Sequence, residues 1–129
     1  MTSQILKKKL SELDGPLKKK LQETFPKQET KFKQIYSGSK NGFSVVDFHE
    51  KCDNTPNTLI IVRSVEGNVF GGFTKCEWDS SFSGYKTDSS AFIFSLVNKE
   101  ETPLIMECEE AEFAIFNDSS LGPVFGAGK

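Results

Sequence analysis

The sequence predicts an α+β fold dominated by β-structure: a two-sheet antiparallel β-sandwich with short edge helices and a helical N-terminal leader. The first observation behind this prediction is a hairpin pattern over residues 58–74, where two β-rich runs flank Glu66-Gly67-Asn68. The second is an apolar run at 91–97, followed by shorter runs at 104–106 and 113–116. Because short strands separated by turn residues outnumber the helical patterns, a sandwich is the expected architecture.

The leader, residues 1–30, is predicted to be helical because apolar residues recur at spacings of three and four: Ile5, Leu6, Leu10, Leu13, Leu17 and Leu21. Asp14-Gly15-Pro16 interrupts this stripe. Since proline fits the first turn of a helix but not its interior, we expect two short helices. Residues 25–30 are predicted to form a linker, so we expect the leader to pack weakly on the body, residues 31–129.

Charge also separates the leader from the body. Residues 1–40 carry ten Lys and four acidic residues, whereas residues 41–129 carry six Lys or Arg and fourteen acidic residues. Two lysine triplets, 7–9 and 18–20, lie beside the apolar stripe and suggest either a basic surface for anionic lipid, RNA or an acidic protein, or a solvated helix. The triplets lack arginine and interleaved aromatic residues, which favours the solvated helix, and no nucleic-acid partner is expected.

The body is predicted to begin with a strand around residues 32–36 and a loop at 37–42. Ser44 and Asp47 then form a capping-box pattern that starts a short helix. This helix carries an apolar face that is expected to pack on the sheet: Val45, Phe48 and Cys52.

The central hairpin contains two informative features. Its first strand, residues 59–62, is continuously apolar, so we expect it to be covered on both faces. Its return strand contains Gly71-Gly72. Because glycine weakens a strand interior, two in succession indicate a bulge, a bend or the close approach of another backbone or ring.

After the hairpin, residues 76–90 are polar and turn-rich, with Trp78 as their one large anchor. Strands are predicted at 91–97, 104–106 and 113–116. The acidic segment 107–112 is interpreted as an exposed edge that blocks pairing between sheets, with a hard-cation site or paired carboxylates as the alternative. The aromatic residues expected to be substantially buried are Phe70, Phe73, Trp78, Phe92 and Phe94.

The cysteines, Cys52, Cys76 and Cys108, are odd in number and widely spaced, which is typical of reduced thiols in a cytosolic protein. The first residues lack the apolar core of a signal peptide, and no apolar run is long enough to span a bilayer. A cytoplasmic location is therefore expected.

His49 is the only histidine, and its position near Cys52 suggests a nucleophile or a metal ligand. A cysteine nucleophile needs an accessible, electropositive setting, whereas Cys52 is expected in the core. The favoured interpretation is therefore a helix-surface histidine and a buried thiol. Zinc held by His49, Cys52, Cys76 and Cys108 is disfavoured because structural zinc draws ligands in close pairs. We predict no catalytic residue, cofactor, metal or disulfide.

The order of several sequence blocks resembles the TLDc domain family. Residues 32–44, with Tyr-Ser-Gly-Ser followed by Gly-Phe-Ser, resemble its opening signature, and residues 48–53 are similar to its next block. Gly67-Asn-Val-Phe-Gly-Gly-Phe73 is similar to its most distinctive block. Residues 91–96 and the Gly-Pro-x-Phe-Gly-x-Gly run at 122–128 continue in the same order.

This resemblance implies a two-sheet antiparallel β-sandwich without agreed catalytic residues or cofactors. The family occurs in oxidation-resistance, nuclear-receptor coactivator-like and TBC-domain proteins, and some members bind the vacuolar proton pump. It therefore implies a non-catalytic protein-interaction module, linked to oxidative-stress resistance or proton-pump regulation, with pump subunits as candidate partners. The alternative is a thiol-dependent redox enzyme or hydrolase that uses Cys52, Cys76 or the acidic segment 107–112.

The family domain usually continues past the Gly-x-Gly block into further strands, whereas this sequence ends at Lys129. We therefore expect a C-terminally truncated copy. An incomplete sandwich would leave an edge and part of its inner apolar face uncovered, near Phe113, Ile115 and Phe125. Self-association, or a partner strand that pairs with the edge, is the expected consequence.

Overall fold

A computed structural model describes residues 15–27, 33–99 and 102–126 of the protein. The larger sheet contains β1 (Thr58–Arg63), β2 (Val69–Thr74), β4 (Phe92–Val97) and β5 (Leu104–Glu107), in the order β1-β2-β4-β5. The smaller sheet contains β3 (Gly84–Lys86), β6 (Ile115–Asn117) and β7 (Val124–Phe125), in the order β3-β6-β7. All the pairings are antiparallel, which confirms the predicted mainly β α+β fold with two sheets.

The helices of the described residues are short: α1 (Gly15–Thr24), α2 (Gly38–Asn41), α3 (Val45–Cys52) and the 3-10 helix Ala111–Phe113. Helix α3 begins at the predicted capping box. The Ser44 Oγ accepts the Asp47 N–H at 3.1 Å, and the Asp47 carboxylate accepts the Ser44 N–H at 3.4 Å. Within the part of the chain that the structure describes, no helix has the length and apolar character needed to cross a membrane.

The central hairpin confirms both predictions made for it. Ile60 and Ile61 point to opposite faces of β1 and both are buried. A Cβ on Gly71 would lie 1.8 Å from the carbonyl oxygen of Ile60, and a Cβ on Gly72 would lie 2.6 Å from the Phe125 ring. Gly71 thus leaves room for the neighbouring backbone of β1, and Gly72 leaves room for the Phe125 ring.

Helix α1 covers one face of the larger sheet, called the outer face. Leu17 and Leu21 are fully buried against a core that includes Phe73, Phe92 and Phe94. Since an apolar helix stripe meets an apolar sheet face, burial of both surfaces holds the helix in place. The prediction that the leader packs weakly is therefore wrong for α1. The predicted first helix and residues 28–30 of the predicted linker lie outside the described residues.

The opposite face of the larger sheet, called the inner face, meets the smaller sheet and α3. A second core forms here around Trp78, which contacts Phe48 and Phe125 edge-on at centroid distances of 5.8 and 5.6 Å. The Trp78 Nε1 donates to Thr58 Oγ1 at 2.9 Å. Trp78 is fully buried, so it anchors the polar segment around it as predicted.

Four local predictions are wrong in whole or in part. Residues 33–37 have no regular structure, and the predicted loop at 37–42 contains α2. That helical turn forms because the Ser37 carbonyl accepts the Lys40 and Asn41 N–H groups at 3.0 and 2.7 Å. Strand β3 arises in the polar segment 76–90, and the run 113–116 divides between the 3-10 helix and β6.

Candidate functional site

The inner face of the larger sheet is exposed over β4 and β5. The strand register aligns Ile60, Gly72, Ile93 and Met106 across the sheet, so these positions share the inner face. The smaller sheet covers this row at Ile60 and Gly72 but leaves Ile93 and Met106 open. Four large apolar side chains on this face are between 38% and 47% exposed, and we call them the open face: Phe70, Ile93, Leu104 and Met106.

The open face corrects one prediction about the core. Phe73, Trp78, Phe92 and Phe94 are buried as predicted, but Phe70 is 43% exposed. Phe70 lies on the inner face, beyond the reach of the smaller sheet, whereas the other phenylalanines of this set point to the outer face under α1. The alternation of side chains along a strand therefore decided which aromatic residues were covered.

A groove continues the open face between the two sheets, with a volume of about 340 Å³. Its apolar lining includes Ile93, Met106, Phe113 and Phe125. Phe113 and Phe125, two of the three residues expected beside an uncovered edge, line this groove and are partly buried. Ile115, which was also expected there, is instead fully buried in the second core.

Acidic residues border this groove. Glu107, Glu109 and Glu110 belong to its lining and are exposed, and no basic residue of the described chain lines it. Glu107 pairs with Lys20 of α1, and this contact lowers the pKa of the Glu107 carboxyl. β5 is an edge strand of its sheet, and the exposed acidic residues lie at its end and in the residues that follow it. The groove is thus apolar at its centre and negatively charged at its border.

His49 does not lie on the helix surface, and that prediction is wrong. Its imidazole is buried, with Nδ1 2.7 Å from Asp53 Oδ1 and Nε2 2.6 Å from the carbonyl oxygen of Leu121. The Asp118 carbonyl oxygen lies 3.0 Å from the same Nε2. Because acceptors face both ring nitrogens, only the protonated imidazole satisfies them all. His49 therefore ties α3 to the chain between β6 and β7.

The pKa values of His49 and Asp53 are shifted in opposite directions. Burial opposes the charged imidazole, but the Asp53 carboxylate and the two carbonyl oxygens outweigh it and raise the His49 pKa. Burial also opposes the Asp53 carboxylate, but hydrogen bonds from Ser80 and His49 outweigh it and lower the Asp53 pKa. Both shifts favour the charged pair, and the pair joins α3 to the chain between β6 and β7.

We expect this pair to make stability depend on pH. A raised histidine pKa contributes stability fully below the unfolded value, about 6.5, and this contribution is lost as pH rises through the folded value. The matching Asp53 contribution is present above its unfolded value of about 3.9 and is lost at more acidic pH. His49→Gln should therefore cost about 2 kcal/mol near pH 6 and less near pH 9, measured by urea unfolding. A cost that is independent of pH would contradict the charged state of His49.

The three cysteines are free thiols. Cys52 is buried in the second core, and burial, with a smaller contribution from the Asp53 charge, raises its pKa to about 12. Burial also raises the pKa of Cys76 and of Cys108. Across the described residues, no group of three or more His, Cys, Asp or Glu side chains is arranged to hold a metal ion. The four residues weighed for zinc are thus not brought together.

Of the three residues expected beside an uncovered edge, Phe113 and Phe125 line the groove and Ile115 does not, and the open face on β4 and β5 was not predicted. The strand register would have indicated this face. Ile60, Gly72, Ile93 and Met106 form one row across the inner face, and the residues of this row on β4 and β5 are apolar.

Comparison with known proteins agrees with this architecture. No curated protein matches the chain. The family model described as the TLDc domain matches residues 5–129, so the match includes α1 as well as both sheets. The chain therefore belongs to the TLDc domain family.

Proposed function

We propose that the chain is a non-catalytic protein-interaction module that binds its partner through the open face. The observation that carries this proposal is the group of four large apolar side chains exposed on one sheet face. Contiguous apolar surface bordered by polar residues is typical of an interaction site, because its contact with water is unfavourable until a partner covers it. Single exposed apolar residues would not support this inference, but these four occupy neighbouring strands.

The state of the thiols favours this proposal over a thiol-dependent redox enzyme or hydrolase. A thiol attacks as its thiolate, and catalytic cysteines have a lowered pKa. Here the pKa of each thiol is raised, and Cys52 is also buried away from any substrate. The acidic segment is a better match to an electrostatic border than to a pair of catalytic carboxylates, since Glu109 and Glu110 lie on the exposed surface.

The family suggests the identity of the partner and the setting. We propose that proton-pump subunits are the partners, that the protein acts in the cytoplasm, and that this binding links it to oxidative-stress resistance. The test is chemical cross-linking of the purified chain with purified proton-pump subunits, followed by mapping of the cross-links. Cross-links from β4 and β5 to one subunit would support the proposal. An absence of cross-links above the level of an unrelated acidic protein would overturn this choice of partner.

The thiol alternative has a separate test. We expect Cys52 to react with a thiol reagent only after unfolding, because the core encloses its sulfur and its pKa is about 12. The measurement is the rate of native thiol modification, with the three thiols counted in denaturant as the reference. Rapid modification of Cys52 or Cys76 at neutral pH would favour the thiol enzyme instead.

A further inference from the structure

We propose that the open face and its groove bind a lysine-rich amphipathic segment of a partner protein, in extended conformation alongside β5. This inference rests on the proposed function and specifies the chemistry of the partner. It follows from three properties of the surface: an available strand edge, an apolar centre and an acidic border.

The strand edge is the first property. β5 is the last strand in the order of its sheet. Within the described residues, no strand pairs with its free edge. About half of the backbone groups of such an edge point away from the sheet and can pair with an added strand. An extended segment beside β5 would continue the antiparallel order and place every second side chain over the inner face.

The apolar centre is the second property. Leu104 and Met106 on β5 point to the inner face beside Ile93 on β4, and they are 47%, 45% and 38% exposed. Phe113 and Phe125 form the far wall of the groove. An added strand would therefore direct its inward side chains onto apolar surface, and this favours apolar residues at alternate positions of the partner.

The acidic border is the third property, and it indicates which residues suit the remaining positions of the partner segment. Glu109 and Glu110 follow β5 directly and are exposed, and the groove lining contains no basic residue of the described chain. Residues 41–129 carry fourteen acidic and six basic residues, although Lys19 and Lys20 of α1 share a second pocket with Glu107 and Glu109. Lysine at the positions of the partner that lie beside Glu109 and Glu110 would meet this border.

The same charge disfavours two other occupants of the surface. A symmetric dimer through the open face would bring the acidic borders of both copies together, and like charges across an interface are unfavourable. An anionic membrane surface would be repelled by the same glutamates. A basic segment from another protein satisfies both the apolar and the acidic parts of the surface.

The probe is a fluorescently labelled seven-residue peptide of alternating lysine and isoleucine, and its binding to the full chain is measured by anisotropy. We expect the lysine peptide to bind and a matched peptide with glutamate at the lysine positions not to bind. Met106→Ser and Leu104→Ser should each weaken binding about tenfold, because interface anchors commonly contribute that much. Both side chains are substantially exposed, and a thermal melt equal to that of the wild type shows that each variant is folded.

Charge reversal tests the border separately. Glu109→Lys combined with Glu110→Lys should weaken binding at low salt, and the loss should shrink as salt screens the charges. Val65→Ser and Glu66→Lys, at exposed positions on the β1–β2 turn, are the matched apolar and charge controls and should leave binding unchanged.

Equal binding of both peptides, or binding that the Met106 and Leu104 variants leave intact, would overturn the proposal. So would concentration-dependent dimerisation that Met106→Ser abolishes, because a second copy would then be the occupant. If pump subunits cross-link elsewhere on the chain and the peptide does not bind, this inference fails while the interaction function stands. If the peptide binds as described and no subunit cross-links, the choice of pump subunits fails instead.

Discussion

Phe94→Ala should destabilise the protein by about 3–5 kcal/mol, close to the largest cost expected of a single core truncation. The Phe94 ring is 2% exposed and belongs to the core between α1 and the outer face of the larger sheet. Removing it leaves a cavity, bordered by the Gly71 backbone and the Phe92 ring, that neither strand can close by moving. The free energy of unfolding, measured by urea denaturation, checks the expectation.

The neighbouring position supplies the control for this prediction. Ile93 lies on the inner face and is 38% exposed, so Ile93→Ala should cost about 1 kcal/mol or less. Equal costs for Ile93→Ala and Phe94→Ala would contradict the assignment of the two faces of β4.

Gly71→Ala should have the other large effect, about 3 kcal/mol or more, because the added methyl group has no room. Its Cβ would lie 1.8 Å from the Ile60 carbonyl oxygen and 2.8 Å from the end of the Phe94 ring. The carbonyl belongs to the backbone of β1, so relief of the clash requires β1 to separate from β2. The expected result is a lowered melting temperature and loss of the cooperative transition.

Gly122→Ala is the matched control for the hairpin prediction. A Cβ at Gly122 meets no heavy atom within 4 Å, and its backbone is not in the left-handed region. This variant should melt within a few degrees of the wild type, since a change of about 0.5 kcal/mol is typical of such surface positions. Similar melting of both variants would show that the hairpin is not packed as described.

The sequence predicted those features that depend on local chemistry. The hairpin, the capping box at Ser44 and the close approach at Gly71-Gly72 each follow from residue types at adjacent positions. Trp78 could be predicted as an anchor because it is the largest apolar side chain of a polar segment. The order of these blocks was also sufficient to identify the family.

The features that sequence reasoning missed depend on contacts between distant segments. His49 is buried because carbonyl oxygens of Asp118 and Leu121, about seventy positions away, converge on its ring. Leu17 and Leu21 form part of the core because α1 meets a sheet face that no local pattern reveals. The exposure of Phe70 depends on how far the smaller sheet extends, which its short strands do not indicate in sequence.

Carbene footprinting of the free and peptide-bound protein, analysed by mass spectrometry, tests the central claim that the inner face is open and available to a partner. The account predicts labelling of Ile93, Leu104 and Met106 in the free protein and protection of these residues when the lysine peptide binds. Leu17 and Phe94 should stay unlabelled in both states. Open-face residues that label as little as Phe94 in the free protein would contradict the account, because that face would already be covered.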